Sequence, residues 1–466
     1  MSRVFDPWRL AAVSADLLAV NRSGPQEVAQ RQRARLDEVI AAAMAGAPFY
    51  RDRYPKGSGA GTPLADLPVV TRAELMADFA ATVTDPQLRL DELQAHTRDP
   101  ARIAEPYLGR YLVWESSGTS GQPGVFVQDA RVMAVYDALE ALRRSAPRPL
   151  AQWADPLHLG ERSAFVGAIE GHYASIVSLR RLCALNPWMD ASVRSFSIME
   201  PNDALVRGLD EWAPSVVATY PTVATLLADE AARGRLRHRP REVWTGGETL
   251  SPSARRHIEL QLGCAVRNSY GASEFLAMGW ECGHGHMHLN ADWVILEPVD
   301  ERGRPVPAGQ PSSRVLLTSL ANRVQPLIRY DMGDRVTVDA APCACGSPLP
   351  VITVEGRTDA PLVLRGRGGR RVTLLPMAVT GVLEDEAGVF DFQLLQRDDR
   401  TLVLRLPLHG AAAQAAFARC REALGAWARQ QGVADLQLVE ESVQALPRGR
   451  SGKVQRIIAR ADPDYS

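Results

Sequence analysis

Tyr111-Leu-Val-Trp-Glu-Ser-Ser-Gly-Thr-Ser-Gly-Gln-Pro-Gly-Val-Phe-Val127 decides how this chain is read. An apolar run stops at a loop of small and hydroxylated residues, Ser116 to Gly121, and resumes at Val125. Strand, small-residue loop, strand is the outline of a phosphate cradle. Gly118 and Gly121 let backbone N–H groups approach an oxyanion, and Ser116, Ser117, Thr119 and Ser120 add hydroxyl donors. Taken alone, a Ser/Gly cluster between apolar runs is more often an ordinary turn or linker. No Gly-Lys-Ser/Thr follows, so it is not a P-loop. Its surroundings have to decide.

Upstream, residues 25–46 carry a helical apolar stripe with a Gly stop, and Thr71 with Glu74 has the form of a capping box. Downstream, 129–144 reads as a helix. From there to 264, β-rich runs at Ser163-Ala-Phe-Val-Gly, Val193-Arg-Ser-Phe-Ser-Ile, Ser215-Val-Val-Ala-Thr and Glu242-Val-Trp-Thr alternate with helices, including 221–233 and one from Ser251-Pro252. Such alternation predicts α/β layering with largely parallel strands. Strands dominate from 290 to 356, among them Asp292–Val299, Arg314–Leu320 and Pro326-Leu-Ile-Arg-Tyr.

The C-terminal stretch predicts a unit of its own. Strands at 391–396 and 401–406 flank the polar turn Arg397–Arg400, followed by a long helix over 410–432 and a strand near 435–440. The expected fold class is therefore α/β. A large N-terminal domain of layered sheets and helices covers 1–357, with a strand-rich part at about 285–356, and a small mobile α+β domain covers 360–466.

At 466 residues the chain is too long for one core, which agrees with more than one domain. The formal net charge of -1 provides no basic field for nucleic acid or anionic lipid. No run of about 18 apolar residues predicts a membrane span, and the first residues lack a signal-peptide pattern. A cytoplasmic protein is the expectation. Of 53 basic residues only Lys56 and Lys453 are lysine. An arginine-rich bias explains the rest, and it draws attention to a lysine that persists where a compact point charge is needed.

Six motifs follow one another: Ser116-Ser-Gly-Thr-Ser-Gly-Gln-Pro-Gly124, Gly246-Gly-Glu-Thr-Leu250, Ser269-Tyr-Gly-Ala-Ser-Glu274, Arg329-Tyr-Asp-Met-Gly-Asp334, Gly356-Arg-Thr-Asp359 and Leu446-Pro-Arg-Gly-Arg-Ser-Gly-Lys453. Each is ordinary alone. In this order they resemble the adenylate-forming acyl-activating enzymes. Pro48-Phe-Tyr-Arg-Asp-Arg-Tyr54 and Leu67-Pro-Val-Val-Thr-Arg72 look most like the phenylacetate–CoA ligase branch.

That resemblance implies an AMP-forming ligase. A carboxylate attacks the α-phosphate of ATP, pyrophosphate leaves, and the acyl-adenylate then passes to a thiol. Because two anions must meet, charge neutralisation and alignment carry the catalysis. The Ser/Gly loop would hold the β- and γ-phosphates and Glu274 the Mg²⁺. Gly246, Gly247, Glu248, Ser269, Tyr270 and Gly271 would surround the AMP moiety. Asp334 would accept from the ribose hydroxyls, and Arg357 would reach ribose or phosphate. Lys453 would bridge the attacking carboxylate and the α-phosphate, and Asp359 would be the hinge about which the small domain turns between half-reactions. The chain departs from the family's pattern at two places. Gln122 stands where lysine usually follows the loop, and Ala360 replaces a second acid after the hinge. The basic run Arg365–Arg371 reads either as a grip on CoA phosphates or as a solvated hairpin.

Cys282-Gly-His-Gly-His-Met-His288 and Cys343-Ala-Cys345 bring two Cys/His clusters. Reduced thiols and surface histidines are one reading. A closed structural Zn²⁺ site is the other, with Cys282, His288, Cys343 and Cys345 as ligands and His284 or His286 as alternatives to His288. Some phenylacetate–CoA ligase-like proteins carry such a pattern.

By the same resemblance, the acyl pocket would be lined by Tyr136, Phe165, His172, Tyr173 and Asn268, a mixed aromatic and polar wall that suits an aromatic carboxylic acid. The expected cofactors are ATP, Mg²⁺ and CoA. Two further readings stand beside the aryl-CoA ligase. One is a biosynthetic adenylating enzyme of phenazine or quinolone type that hands the acyl group to a reductase, carrier protein or amine. The other is a nucleotide-binding protein without turnover. No membrane or nucleic-acid partner is expected, and a homodimer is an allowed assembly.

Overall fold

The computed structural model describes residues 4–116, 123–143, 161–355, 361–447 and 455–459. The hairpin β1 (Leu112–Glu115) and β2 (Val125–Gln128) comes first, in the register Glu115↔Val125. Then follow β3 (Ser163–Gly167), β4 (Val193–Ser197), β5 (Val216–Thr219), β6 (Glu242–Thr245) and β7 (Ala265–Tyr270). The strand-rich part holds β8 (Gly279–Glu281), β9 (Met287–Leu289), β10 (Val294–Val299), β11 (Arg314–Ser319), β12 (Tyr330–Asp331), β13 (Arg335–Val338) and β14 (Val351–Glu355).

Nine of these strands form one sheet in the order β13-β14-β9-β8-β7-β6-β5-β3-β4. From β4 to β7 the neighbours are parallel, and from β7 to β13 they are antiparallel. Parallel pairs need crossovers, which the helices Asn202–Trp212, Pro221–Ala232 and Pro252–Leu262 supply. The last is well delimited. Ser251 caps the Ala254 N–H, Pro252 opens the helix, and Gly263 closes it at φ 63°. β4 and β5 lie on opposite sides of β3, so the winding reverses there. In such sheets the crevice beyond the C-terminal ends of the strands is where ligands bind.

The predicted α/β layering is therefore observed, and β3 to β6 fall on the four β-rich runs read in the sequence. One expected strand is shortened. Pro326–Tyr330 contributes only Tyr330 to β12, because Arg329 takes φ 52° and breaks the extended run. The two short strands around the Cys/His segment, β8 and β9, were not legible by alternation.

Beneath the site lies an aromatic core. Trp114, Tyr136 and Phe275 are fully buried, with the Tyr136 and Phe275 rings edge-on at 5.1 Å. Trp114 Nε1 donates to Ser273 O at 2.8 Å, which ties the hairpin to the segment after β7. At the far end of the helix Ala130–Arg143, the buried Arg143 makes a two-pronged contact with buried Asp292 at 2.6 and 2.9 Å and also bonds Asn290.

C-terminal to 361, the hairpin β15 (Leu362–Arg365) and β16 (Arg371–Leu374) precedes β17 (Gln393–Gln396), β18 (Thr401–Leu406), β19 (Gln437–Ser442) and β20 (Ile457–Ile458). The last four form a sheet in the order β19-β18-β17-β20, and the helix Gly410–Gln430 joins β18 to β19. The basic run 365–371 is the tip of the first hairpin, and Arg365, Arg367, Arg370 and Arg371 are exposed there. This part touches the large sheet's loops: Trp427 Nε1 and Gln431 Nε2 both donate to Met199 O in the turn after β4, and Tyr173 OH, just before the helix Ala174–Leu185, donates to Asp385.

Candidate active site

A connected cavity of about 2710 Å³ runs over β3 and past the C-terminal ends of β5, β6 and β7, with Pro361, Met377 and Arg456 also lining it. A small-molecule pocket usually has about 300–1,000 Å³, so there is room here for a nucleotide and an acyl group together.

The two ends of the hairpin strands are pinned to each other at this cavity. Ser116 N donates to Gly124 O at 2.9 Å, and Gly124 N donates back to Ser116 Oγ at 2.9 Å. Arg72 Nη1 also donates to Ser116 Oγ, at 3.0 Å. Ser117, Gly118, Thr119, Ser120, Gly121 and Gln122 lie outside the described residues.

Two carboxylates line the cavity from different loops, one after β7 and one between β12 and β13. Glu274, just after β7, accepts from Tyr330 OH at 2.8 Å. Burial pushes its carboxyl above the usual range, while the Tyr330 hydrogen bond and Arg72 oppose that. Asp334 accepts from Tyr270 OH at 2.9 Å. Burial and the neighbouring Asp334 carboxylate hold the Tyr270 phenol well above its ordinary value, so it stays a donor.

The floor between them needs bare backbone. A Cβ on Gly271 would lie 2.0 Å from Leu276 O, so only glycine fits the turn after β7. Gly247 takes φ 80° after β6, with the Tyr220 ring 3.3 Å from a Cβ position. Gly246 and Ser269 line the same cavity. The outcome is a stretch of bare backbone at the ends of β6 and β7, lining the same cavity as the two carboxylates and Ser116.

No family model matches the chain. It is 30% identical over 186 residues to a phenylacetate-coenzyme A ligase of Thermus thermophilus, a match covering 38% of this chain and 40% of that protein. It is 25% identical over 270 residues to the phenylacetate-coenzyme A ligase of Pseudomonas putida, covering 54% and 55%. The matches span about half the length of these relatives. In fold it is similar to 2-hydroxyisobutyryl-CoA ligase in complex with 2-HIB-AMP and CoA. The TM-score is 0.59 at 20% identity, over 92% of this chain and 89% of that one. The chain is thus similar in sequence to phenylacetate–CoA ligases over up to about half of its length, and similar in fold to an acyl-CoA ligase over most of it.

The structure gathers most of the residues singled out by sequence. Ser116, Gly246, Gly247, Glu248, Ser269, Tyr270, Gly271, Glu274 and Asp334 line one cavity, as do Tyr136, Phe165, Tyr173 and Asn268. Glu248 is also engaged in the fold: its carboxylate accepts from Thr222 N at 3.0 Å and Thr222 Oγ1 at 3.1 Å, satisfying the start of the helix Pro221–Ala232. Asn268 is oriented by Thr245 Oγ1, which donates to its Oδ1 at 3.0 Å. His172 does not line the cavity. It is buried with Nε2 against Asp99 O at 3.0 Å and its ring edge-on to His96 at 5.5 Å, a packing position. Lys453, Arg357 and Asp359 lie outside the described residues. Arg72 and Tyr330 were missed as site residues. Both stand inside quoted motifs, Tyr330 in Arg329–Asp334 and Arg72 at the end of Leu67–Arg72, without a role assigned.

The second Cys/His grouping also comes together. The ligand atoms of Cys282, His288, Cys343 and Cys345 all lie within 4.8 Å of one another. His288 Nδ1 meets Leu349 O at 3.0 Å, which leaves Nε2 facing Cys345 Sγ at 3.2 Å. Cys345 N approaches Cys343 Sγ at 3.5 Å and Ser347 N approaches Cys345 Sgamma at 3.4 Å, while Gly285 and Gly346 take positive φ at the two turns. A soft-donor set with an oriented imidazole and N–H groups aimed at sulfur fits a closed tetrahedral Zn²⁺ site. His286 Nδ1 stands 3.2 Å from Cys343 Sγ, outside that set, and His284 is exposed.

Proposed function

We propose that this chain activates an aromatic carboxylic acid with ATP to an acyl-adenylate and passes the acyl group to CoA. The carrying observation is that Tyr270–Asp334, Tyr330–Glu274 and the loop foot at Ser116 face one cavity at the ends of parallel strands. In this reading Asp334 would accept from the ribose, Glu274 would hold Mg²⁺, and the bare backbone at Gly246, Gly247 and Gly271 would lie against the base. Magnesium would supply Lewis-acid neutralisation of the phosphates. The phenylacetate–CoA ligase relatives support the CoA step. Phe165, Tyr173, Tyr220 and Trp244 lining the cavity support an aromatic acid.

The large part, 1–357, would hold the nucleotide, and the small part, 360–466, would turn about Asp359 and present Lys453 to the carboxylate and α-phosphate. Arg357 would meet the ribose or phosphate beside them. The Cys282, His288, Cys343 and Cys345 cluster is read as a structural Zn²⁺ site that ties the β8–β9 turn to the 343–346 turn.

The test is ATP–pyrophosphate exchange with a panel of aryl acids, with and without CoA. Acid-dependent exchange together with an aryl-CoA product supports the proposal. Exchange without any CoA product supports instead a hand-off to a carrier protein, reductase or amine. No exchange with any acid supports a nucleotide-binding protein without turnover.

A further inference from the structure

The family's loop pattern is short of one charge in this chain, because Gln122 occupies the position of the usual lysine. The structure brings a different cation to the foot of the same loop. Arg72 lines the cavity, and its Nη1 donates to Ser116 Oγ at 3.0 Å. The side chain lies along Gly124, where an added Cβ would come 3.0 Å from Arg72 Cδ. Its charge also acts on Glu274 and Tyr330, so loop foot, guanidinium and carboxylate share one electrostatic neighbourhood.

The backbone that delivers Arg72 is fixed from both sides. Val70 N donates to Arg329 O at 3.0 Å and Asp331 N donates to Val70 O at 2.9 Å, pairing this segment with the one that carries Tyr330 and Asp334. Thr71 and Glu74 form the capping box expected from sequence, and Arg53 Nη2 bonds Glu74 at 2.8 Å. Arg72 therefore enters the cavity from a clamped strap 44 residues before Ser116.

We propose that Arg72 binds the β- and γ-phosphates of ATP and supplies the positive charge that position 122 lacks. This rests on the reading of the cavity as an ATP site. When the acid's carboxylate oxygen bonds to the α-phosphorus, the bond from that phosphorus to the bridging oxygen breaks and pyrophosphate leaves. A guanidinium on the β,γ side holds the charge that gathers on the leaving group. AMP has no β- or γ-phosphate and makes no use of it.

The experiment compares MgATP and AMP binding by calorimetry for the full chain, Arg72→Ala, Arg72→Lys, and Arg72→Ala with Gln122→Lys. Arg72→Ala is expected to weaken ATP by about 10-fold or more, the size of one hydrogen bond to a charged group, and to leave AMP within about 2-fold. Arg72→Lys retains part of the ATP affinity, and lysine at 122 restores part of it in the alanine background. Equal weakening of ATP and AMP, or no change in either, would overturn the inference while leaving the ATP site standing. A wild-type chain that binds neither nucleotide would overturn the ATP-site reading and this inference with it.

Discussion

The Tyr270 hydroxyl donates to Asp334 Oδ2 at 2.9 Å, joining the end of β7 to a loop 64 residues later. The pair fixes one oxygen of a carboxylate that lines the cavity. We predict that Asp334→Ala weakens AMP binding by about 10-fold or more, the loss of a hydrogen bond to a charged acceptor. Tyr270→Phe should have a smaller effect, because the carboxylate remains but is less well aimed. Calorimetry with AMP checks both, and unchanged affinity in both variants would place the nucleotide elsewhere.

Arg143 and Asp292 are a buried ion pair, with Arg35 Nη1 a further 3.8 Å from Asp292 Oδ2. Removing one partner leaves the other charge buried and unpaired, which costs about 3–5 kcal/mol. Asp292→Ala should lower the urea midpoint accordingly. Replacing both residues by apolar side chains of similar volume should recover most of that loss. Equal destabilisation by the single and double replacements would contradict this account of the pair.

The thiol cluster predicts one zinc per chain, lost in Cys343→Ser and measurable by elemental analysis. Burial pushes Cys343 up, but the Cys345 N–H, His286 and other donors bring it down to about 6, whereas burial and the neighbouring thiols push Cys345 up to about 11. The two thiols titrate as a pair, so in metal-free protein iodoacetamide is expected to modify the cluster. Zinc should protect both. Equal labelling with and without zinc would count against the site.

The sequence showed the parts of this structure that are local. The helix at 25–46, the β-rich runs of β3 to β6 and the Thr71–Glu74 cap each follow from neighbours a few residues apart, and all are observed. Motif residues such as Gly246, Tyr270 and Asp334 were found because each sits at or just past the end of a strand, where a loop must carry distinctive residues. What depends on distant packing was not legible. Arg72 reaches Ser116 only through the pairing of Val70 with Tyr330, and His172 was drawn away from the acyl pocket by Asp99 and His96. Nor did β8 and β9 announce themselves, since Gly279–Glu281 and Met287–Leu289 are too short to show alternation.

The Glu74 carboxyl lies below its ordinary range. Burial raises it, but the hydroxyl and N–H of Thr71 and the Arg53 guanidinium more than offset that. A depressed folded value means stability that is present above the unfolded value of about 4.3 and lost as pH falls through the folded one. Glu74→Gln should therefore destabilise the chain at neutral pH by less than about 1 kcal/mol, the pair being partly exposed. The gap from wild type should close in acid. A gap that persists unchanged below that range would show that the carboxylate charge is not what stabilises the cap.

The central claim is that this cavity joins a carboxylic acid to AMP with the help of Lys453 from the C-terminal part. The most direct measurement is aryl-acid-dependent ATP–pyrophosphate exchange in the wild type and in Lys453→Ala, alongside ATP binding to both. The account predicts exchange in the wild type, its loss in the variant by about 100-fold or more, as for a charge made effective only in the transition state, and ATP binding largely retained. Exchange that proceeds unchanged without the Lys453 ammonium would contradict it.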